Sequence, residues 1–473
     1  MKIKNIACYS FSLNGEDPLA HLRLIGPLGL SGINIVNGFE NNQININRVS
    51  ECDMVYIQRD FPKLFDNYTK IIDLAHKEGK PVVFDLDDLL FCLPQNHPDK
   101  QNLEYSYPLL PMFQALMEAD LVSVSTPKLR DFLVHYNENV AVLPNYFDDN
   151  LWHFKSPILN PSKHETLTIG YMGGNSHKPD LEYVTPVLLD LINRYPQKIS
   201  FHFFGAQPPI EIASLTQVKW TPVNISNYKD FSAFFQTQTA DIFIAPLSDN
   251  LFNRCKSPIK FFEYSALGVP GVFSRLETYS DIINHRHNGL LASSLDEWTN
   301  CLVQLIEDDE LRFSMAKNAQ ETIRLNWLLS RNAFRWQEAY QSTFDRKSSN
   351  KEPNRSIVSI IEPINLELFE TFNKKDAAIN KMSRQLAEKE AAVQMLTTQV
   401  AEKEQAVQAL STHVQALSAQ VQTLSAQVQE IFSSRAGRLI KLLWSVRSRL
   451  IPHGSRRERF AQYLMQSLRR IRQ

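Results

Sequence analysis

"NRCKSPIKFFEYSALGVPGVFS", residues 253 to 274, reads as a short helix set between two buried strands. Ser257 suits an N-cap, Pro258 the first helical position and Gly268 a left-handed residue just past the end, which predicts a helix from Pro258 to Leu267. The runs "ADIFIAPLS" (240 to 248) before it and "VPGVFS" (269 to 274) after it have the continuous apolar character of strands buried on both faces. Strand, loop, helix, strand is the building unit of an α/β domain. A helix N-terminus presents unpaired N–H groups and about half a positive charge, and Arg254 and Lys256 add to it, so an anion such as phosphate or pyrophosphate is expected there. Glu263 lies further along, on the face shared by Lys260 and Leu267, where a carboxylate can accept hydrogen bonds from sugar hydroxyls. The plainer alternative is a solvated basic loop with a Lys260 to Glu263 surface pair.

Outward from this unit the same alternation continues. In residues 1–150 the apolar runs "NIACYSF", "DMVYIQ", "PVVFDL", "ADLVSVS" and "NVAVLP" alternate with helical patterns, as a parallel sheet wound with helices requires. A second series, "LTIGYMGG" (167 to 174), "ISFHFFG", "VKWTPV", "DIFIAP" and "VPGVFS", predicts a second Rossmann-like domain over 151–345, with Trp327 and Trp336 as packing anchors. Ligands of such sheets bind beyond the carboxyl ends of the strands, so two facing domains define a cleft.

The chain has 473 residues, enough for two or three domains, and a net charge of −1, which gives no overall bias towards nucleic acid. Its five cysteines are scattered without C-x-x-C spacing, against a disulfide framework or a zinc site and in keeping with a reducing compartment. The first residues read as a buried strand and not as a cleaved leader, and no run approaches the roughly 18 to 20 apolar residues of a membrane span. The expectation is a cytoplasmic protein.

Residues 346–385 have linker composition. Over 386–432 apolar residues fall three and four apart, as at Val407, Leu410, Val414, Leu417 and Val421, with gaps at Lys389 and Lys403 and a nearly literal "QALSAQV" repeat. That is a coiled-coil pattern, roughly 70 Å of helix, and predicts a homo-oligomer. The tail, 433–473, carries eleven Lys or Arg from Arg435 onward against the single acid Glu458, interleaved with Leu, Ile and Trp. An amphipathic helix on an anionic membrane surface is expected, holding the protein at the inner face of the membrane; a partner protein or nucleic acid is the competing reading.

These motifs together resemble the glycosyl transferases group 1 family of the GT-B fold, retaining enzymes that use nucleotide sugars. "VAVLPNYFD" (140 to 148) is similar to the family's domain-junction segment, with Tyr146 in place of a glycine, and "IGYMGG" to the first strand and glycine loop of its donor domain. "KSPIKFFEYSALGVPGVFS" resembles its E-A-M-A-x-G-x-P-V-V segment and "HNGLLA" (287 to 292) its N-G-x-L motif. In the family's E-x7-E pattern an earlier glutamate stands where this chain has Cys255. The resemblance implies that Glu263 binds the donor ribose and that Lys256 and Arg254 neutralise the leaving diphosphate where other transferases use a metal. It further implies that Ser257 and Lys260 belong to the donor site. Gly173 and Gly174 let the backbone approach the diphosphate, and His177 with Asp180 stands next in line to contact donor or acceptor.

The first domain is then expected to hold the acceptor. "VVFDLDDLLF" places Asp85, Asp87 and Asp88 at the carboxyl end of a strand facing the cleft, with Asp85 expected to bind the acceptor and Asp87 and Asp88 read as ligands of acceptor hydroxyls that polarise the nucleophile, against a capping or structural role; Arg59 in "YIQRDF" suits phosphate or an acidic acceptor. Arg23 is a lesser candidate of the same kind. A rival reading makes Asp85 and Asp87 the magnesium ligands of a phosphatase. Such an enzyme should carry its nucleophile on the first strand, whereas this motif follows some eighty residues.

The expected function is transfer of a sugar from a nucleoside-diphosphate-sugar to a glycan or lipid-linked acceptor in cell-surface polysaccharide biosynthesis, without a metal or other cofactor. The alternative is a GT-B scaffold that has lost catalysis and assembles through its coiled coil, a reading that the cysteine at position 255 slightly favours and that Lys256 and Glu263 together speak against.

Overall fold

The computed structural model describes residues 2–41, 43–158, 166–347 and 355–471. Six parallel strands form the first sheet: β1 (Asn5–Tyr9), β2 (Asn34–Asn37), β3 (Met54–Gln58), β4 (Val82–Leu86), β5 (Leu121–Val124) and β6 (Val140–Val142), in the order β2-β1-β3-β4-β5-β6. Strands β3 and β4 are buried along their whole length, which is why they read as unbroken apolar runs. The helix α1 (Phe65–Lys77) covers the sheet with Phe65, Tyr68, Ile71, Ile72 and Ala75, a stripe at helical spacing. A second helix, α2 (Leu109–Glu118), follows β4.

The second sheet repeats the plan with β7 (Leu167–Gly173), β8 (Ile199–Gly205), β9 (Val218–Thr221), β10 (Ile242–Ala245), β11 (Gly271–Ser274) and β12 (Leu290–Ala292), ordered β9-β8-β7-β10-β11-β12. The connections leaving β7 and β10 diverge, which opens a crevice at their carboxyl ends. Helix α3 (Lys178–Arg194) follows β7, and α4 (Ile259–Ala266) lies between β10 and β11. All ten strands expected from apolar runs are present. Within these two sheets the strands not expected, β2 and β12, are short and lie at the edges; a two-stranded antiparallel pair, Phe39–Glu40 with Gln43–Ile44, was not expected either.

The opening helix differs at its start from the expected grammar. It begins at Ile259, and Pro258 takes the capping position without a side-chain hydrogen bond. Ser257 is therefore not the N-cap; its hydroxyl turns to Asn145 Nδ2, 3.1 Å away. At the other end Gly268 has φ +73°, as a left-handed terminus requires, and a Cβ there would meet the Lys155 carbonyl oxygen at 2.7 Å.

Two segments cross between the domains. Helix α5 (Phe334–Lys347) lies within the stretch assigned to the second domain, yet Trp336 and Tyr340 are buried in a cluster with Ile6, Leu24 and Leu28 of the first. Phe252 and Cys255, just ahead of α4, are likewise buried in the first domain's core, where the Thr126 hydroxyl donates to the Cys255 carbonyl at 2.8 Å.

Part of the expected linker, residues 348–354, lies outside the described residues. The rest is not linker but helix, because α6 runs from Arg355 to Ser433 as one element. Its first turns dock on the first domain through Asn365, Phe369 and Phe372, spaced to share one face. Asn365 Nδ2 donates to Gln114 Oε1 at 2.7 Å, and the Phe372 ring lies 4.7 Å from that of Tyr107. Residues 375–473 form a separate unit, in which α6 continues and is followed by α7 (Arg435–Leu450) and α8 (Arg456–Ile471). Along α6 in this unit the side chains of the heptad seam are exposed on the single chain. Among the described residues no helix is long and apolar enough to cross a membrane.

Candidate active site

The carboxyl ends of both sheets meet at a cleft of about 710 Å³. From the first domain it receives Arg59, just past β3, and Asp87 and Asp88, just past β4. From the second come Gly173 and Gly174 at the end of β7, His177, and the segment carrying Lys256, Ser257, Lys260 and Glu263. Ten of the twelve expected site residues are thus brought together.

Two are not. Arg254 points away from the cleft, its guanidinium held by Asp249 at 2.6 and 2.7 Å and by Glu277 at 2.7 Å. A basic residue at the end of a four-residue helix has found carboxylates of its own domain, and it lines no part of the cleft. Asp85 is buried under the cleft floor and fully engaged by Arg23 at 2.8 to 3.2 Å and by the Ser123 hydroxyl at 2.5 Å. Its place inside the strand, not after it, turns its carboxylate into the sheet, so neither the acceptor role nor the magnesium pairing with Asp87 is open to it. Arg23 in turn reaches the Leu143 carbonyl and Asn145 Oδ1, the latter at 3.1 Å. Asn145, within the quoted "LPN" segment, thereby ties the ion pair of one domain to Ser257 of the other.

In the first domain Arg59 Nη1 lies 2.7 Å from Asp87 Oδ1 and 3.8 Å from Asp88 Oδ2. With these carboxylates against its guanidinium, Arg59 is not a free anion receptor. Burial pushes the Asp87 carboxyl up to about 6 in spite of Arg59. For Asp88 burial is outweighed by Lys256 and Arg59, and its pKa falls below the ordinary value. The Lys256 ammonium sits 3.7 Å from Asp88 Oδ2 and over the Phe252 ring.

In the second domain Glu263 is 4 % exposed and its Oε2 has no hydrogen-bond partner among the described residues. Burial raises its pKa to about 8, and the same cause lowers Lys260, one turn earlier, to about 8. An unpartnered buried carboxylate oxygen costs about 1–3 kcal/mol, which a pair of ligand hydroxyls can offset. Lys260 Nζ is 3.1 Å from His177 Nε2, and His177 Nδ1 is 2.8 Å from Asp180 Oδ2. Burial, then Lys260, lowers the His177 pKa to about 4, so the ring is neutral. At Gly173 a Cβ would collide with the Tyr171 hydroxyl, whereas at Gly174 it would meet nothing within 4 Å; only the second glycine faces open space. Cys255 is walled off in the first domain's core, where burial pushes its thiol up to about 12. It is therefore not a polar vacancy in the sugar pocket.

Sequence reasoning gave no sign of the apolar wall formed by Leu22, Val223, Ile225, Tyr228 and Phe231. These are ordinary core types at ordinary spacing, and only tertiary structure turns them to the cleft. Among the described residues no group of three His, Cys, Asp or Glu is placed to hold a metal ion.

Residues 166–308, the stretch that builds most of the second sheet, match the glycosyl transferases group 1 family. The chain carries a group 1 glycosyltransferase domain. No curated protein matches the chain in sequence. Among solved structures, the sucrose-phosphate synthase of Thermosynechococcus elongatus is similar over 72 % of this chain and 100 % of its own, at 13 % identity and a TM-score of 0.52. At that identity the likeness speaks for the two-domain GT-B fold alone. Anabaena HepE in complex with UDP-glucose is similar over 74 % of this chain and 100 % of its own, at 16 % identity and a TM-score of 0.49. Residues 166–308 include Gly173, Gly174, His177 and the whole Lys256 to Glu263 segment, so every second-domain residue named above as lining the cleft lies inside the matched region.

Proposed function

We propose that the protein transfers a sugar from a nucleoside-diphosphate-sugar to a glycan or lipid-linked acceptor, with retention of anomeric configuration and without a metal ion, in the synthesis of a cell-surface polysaccharide. The observation that carries this reading is the unpartnered Oε2 of Glu263, buried at the cleft wall beside two lysines. Ribose hydroxyls donating to that oxygen would leave the diphosphate at Lys256, Lys260 and the backbone of Gly174. Glycosidic bond cleavage places charge on the leaving phosphate, and these cations stabilise it in a site shielded from water. The acceptor hydroxyl approaches from the Asp87 and Asp88 side, and its proton passes to the leaving phosphate oxygen as the new C–O bond forms. Retention follows from the family resemblance, and the supply of positive charge by lysine supports independence from metal.

The exposed Val and Leu seam of α6 supports self-association into a coiled coil, since an isolated helix would leave that stripe in water. Helices α7 and α8 set Leu439, Leu443, Phe460 and Leu464 against arginine-rich faces, which suits attachment to an anionic bilayer from the cytoplasmic side.

Calorimetric titration with UDP, GDP and CDP and their sugar conjugates, without magnesium, tests the reading in the wild type, Lys256→Ala and Glu263→Ala. Micromolar binding of one nucleotide, weakened by both substitutions, is the expected result. Absence of binding by all three would move the non-catalytic scaffold ahead of the enzyme.

A further inference from the structure

Asp180, at the first turn of α3, is 4 % exposed and divides its two oxygens between two tasks. Oδ1 accepts from the Ser248 backbone N–H at 2.7 Å and from Asn253 Nδ2 at 3.0 Å, holding the loop after β10. Oδ2 faces only His177 Nδ1, at 2.8 Å. Across the ring, His177 Nε2 lies 3.1 Å from the Lys260 ammonium.

A carboxylate can only accept and an ammonium can only donate. The imidazole between them satisfies both in one form alone, with Nδ1–H donating to Asp180 and a bare Nε2 accepting from Lys260. The opposite tautomer would set an N–H against the ammonium and a lone pair against the carboxylate. The imidazolium would likewise set an N–H against Lys260. Lys260, His177, Gly174 and Lys256 line one stretch of the cleft, so an N–H committed to His177 fixes where the ammonium stands relative to a ligand there.

We infer that Asp180 is a positioning residue, which sets the tautomer of His177 and through it holds the Lys260 ammonium in place for the diphosphate of the donor. This rests on the donor site proposed above. It also reassigns His177, whose two nitrogens are both occupied, from a contact with sugar to the middle of a relay.

The division of labour between the oxygens makes the idea separable from a purely structural role. In Asp180→Asn the amide oxygen can keep both bonds made by Oδ1, while the amide nitrogen takes the place of Oδ2 and donates to Nδ1. The ring proton then moves to Nε2 and points at Lys260, with no change of volume.

The full-length protein, with 15N-labelled histidine, gives the ring tautomer by NMR, with His177→Gln to assign the signal. Wild type should show a bare Nε2 and Asp180→Asn a bare Nδ1. The nucleotide that binds wild type among UDP, GDP and CDP should bind Asp180→Asn about tenfold more weakly, at an unchanged unfolding midpoint. Adding His177→Gln to Asp180→Asn should recover most of the loss, because an amide oxygen accepts from Lys260 whatever stands at position 180; a mere loop staple predicts no recovery. An identical tautomer in both proteins, a switched tautomer with unaltered affinity, or an Asp180→Asn protein that fails to fold would each overturn the inference. If no nucleotide binds wild type, the donor-site reading fails, and the tautomer in the two proteins still decides whether Asp180 places the proton.

Discussion

Lys256 Nζ lies 3.7 Å from Asp88 Oδ2, one residue from each domain, so the cation that the second domain presents to the cleft is partly countered by a carboxylate of the first. A diphosphate entering the cleft competes with Asp88 for the same ammonium. Asp88→Asn should therefore bind nucleoside diphosphate as well as wild type or a few-fold more tightly, while sugar transfer falls. Calorimetry alongside a transfer assay separates the two effects; a loss of nucleotide affinity in this variant would count against the arrangement.

Arg254 is spent on Asp249 and Glu277 in a half-exposed cluster at the surface. Exposed pairs of this kind contribute about 0–1 kcal/mol. Arg254→Ala should leave nucleotide affinity within about twofold of wild type, in contrast to Lys256→Ala. A tenfold loss on titration would return Arg254 to the donor site.

The Arg23 and Asp85 pair is fully buried, and removing one partner strands the other charge. Arg23→Met should destabilise the protein by about 3–5 kcal/mol, read by urea unfolding. The double replacement Arg23→Met with Asp85→Leu should be less destabilised than the single one, because no orphaned charge remains.

Glu118 accepts from the Tyr68 hydroxyl in the core beneath α6, and burial raises its pKa from 4.5 to about 7. The folded protein keeps a proton there that the unfolded chain has already released. Stability from this group is thus complete below about pH 4.5 and is lost as pH rises towards 7. Wild type minus Glu118→Gln, followed by urea unfolding across that window, should decline by on the order of 2–3 kcal/mol; a flat difference would exclude the linkage.

Removal of residues 433–473 should release the protein from anionic liposomes in a flotation assay without changing its oligomeric state. Cutting before residue 386 should also reduce the sedimentation coefficient to that of a monomer. Unchanged flotation or unchanged sedimentation would refute the membrane or the coiled-coil assignment respectively.

The parallel sheets were legible because strands buried on both faces leave unbroken apolar runs. β2, "NIVN", sits at an edge with three of its residues half-buried and one exposed, and so carries no such signal. The donor half of the cleft was legible for a related reason, since residues 253 to 274 are local: helix, glycine and lysines act within one short segment. The acceptor half was not. Asp85 and Asp87 look equivalent in "DLDD", and what separates them is Arg23, 62 positions away from Asp85 in the chain. Arg254 shows the same limit, because Glu277 lies 23 residues beyond it.

Phe252 and Cys255 are rooted in the core of the first domain, while Lys256, the very next residue, lines the cleft. Opening the cleft widely would drag a phenylalanine out of that core, at a cost of about 1.5–3 kcal/mol. The loop therefore works as a geared joint: the angle between the domains and the position of the Lys256 ammonium change together.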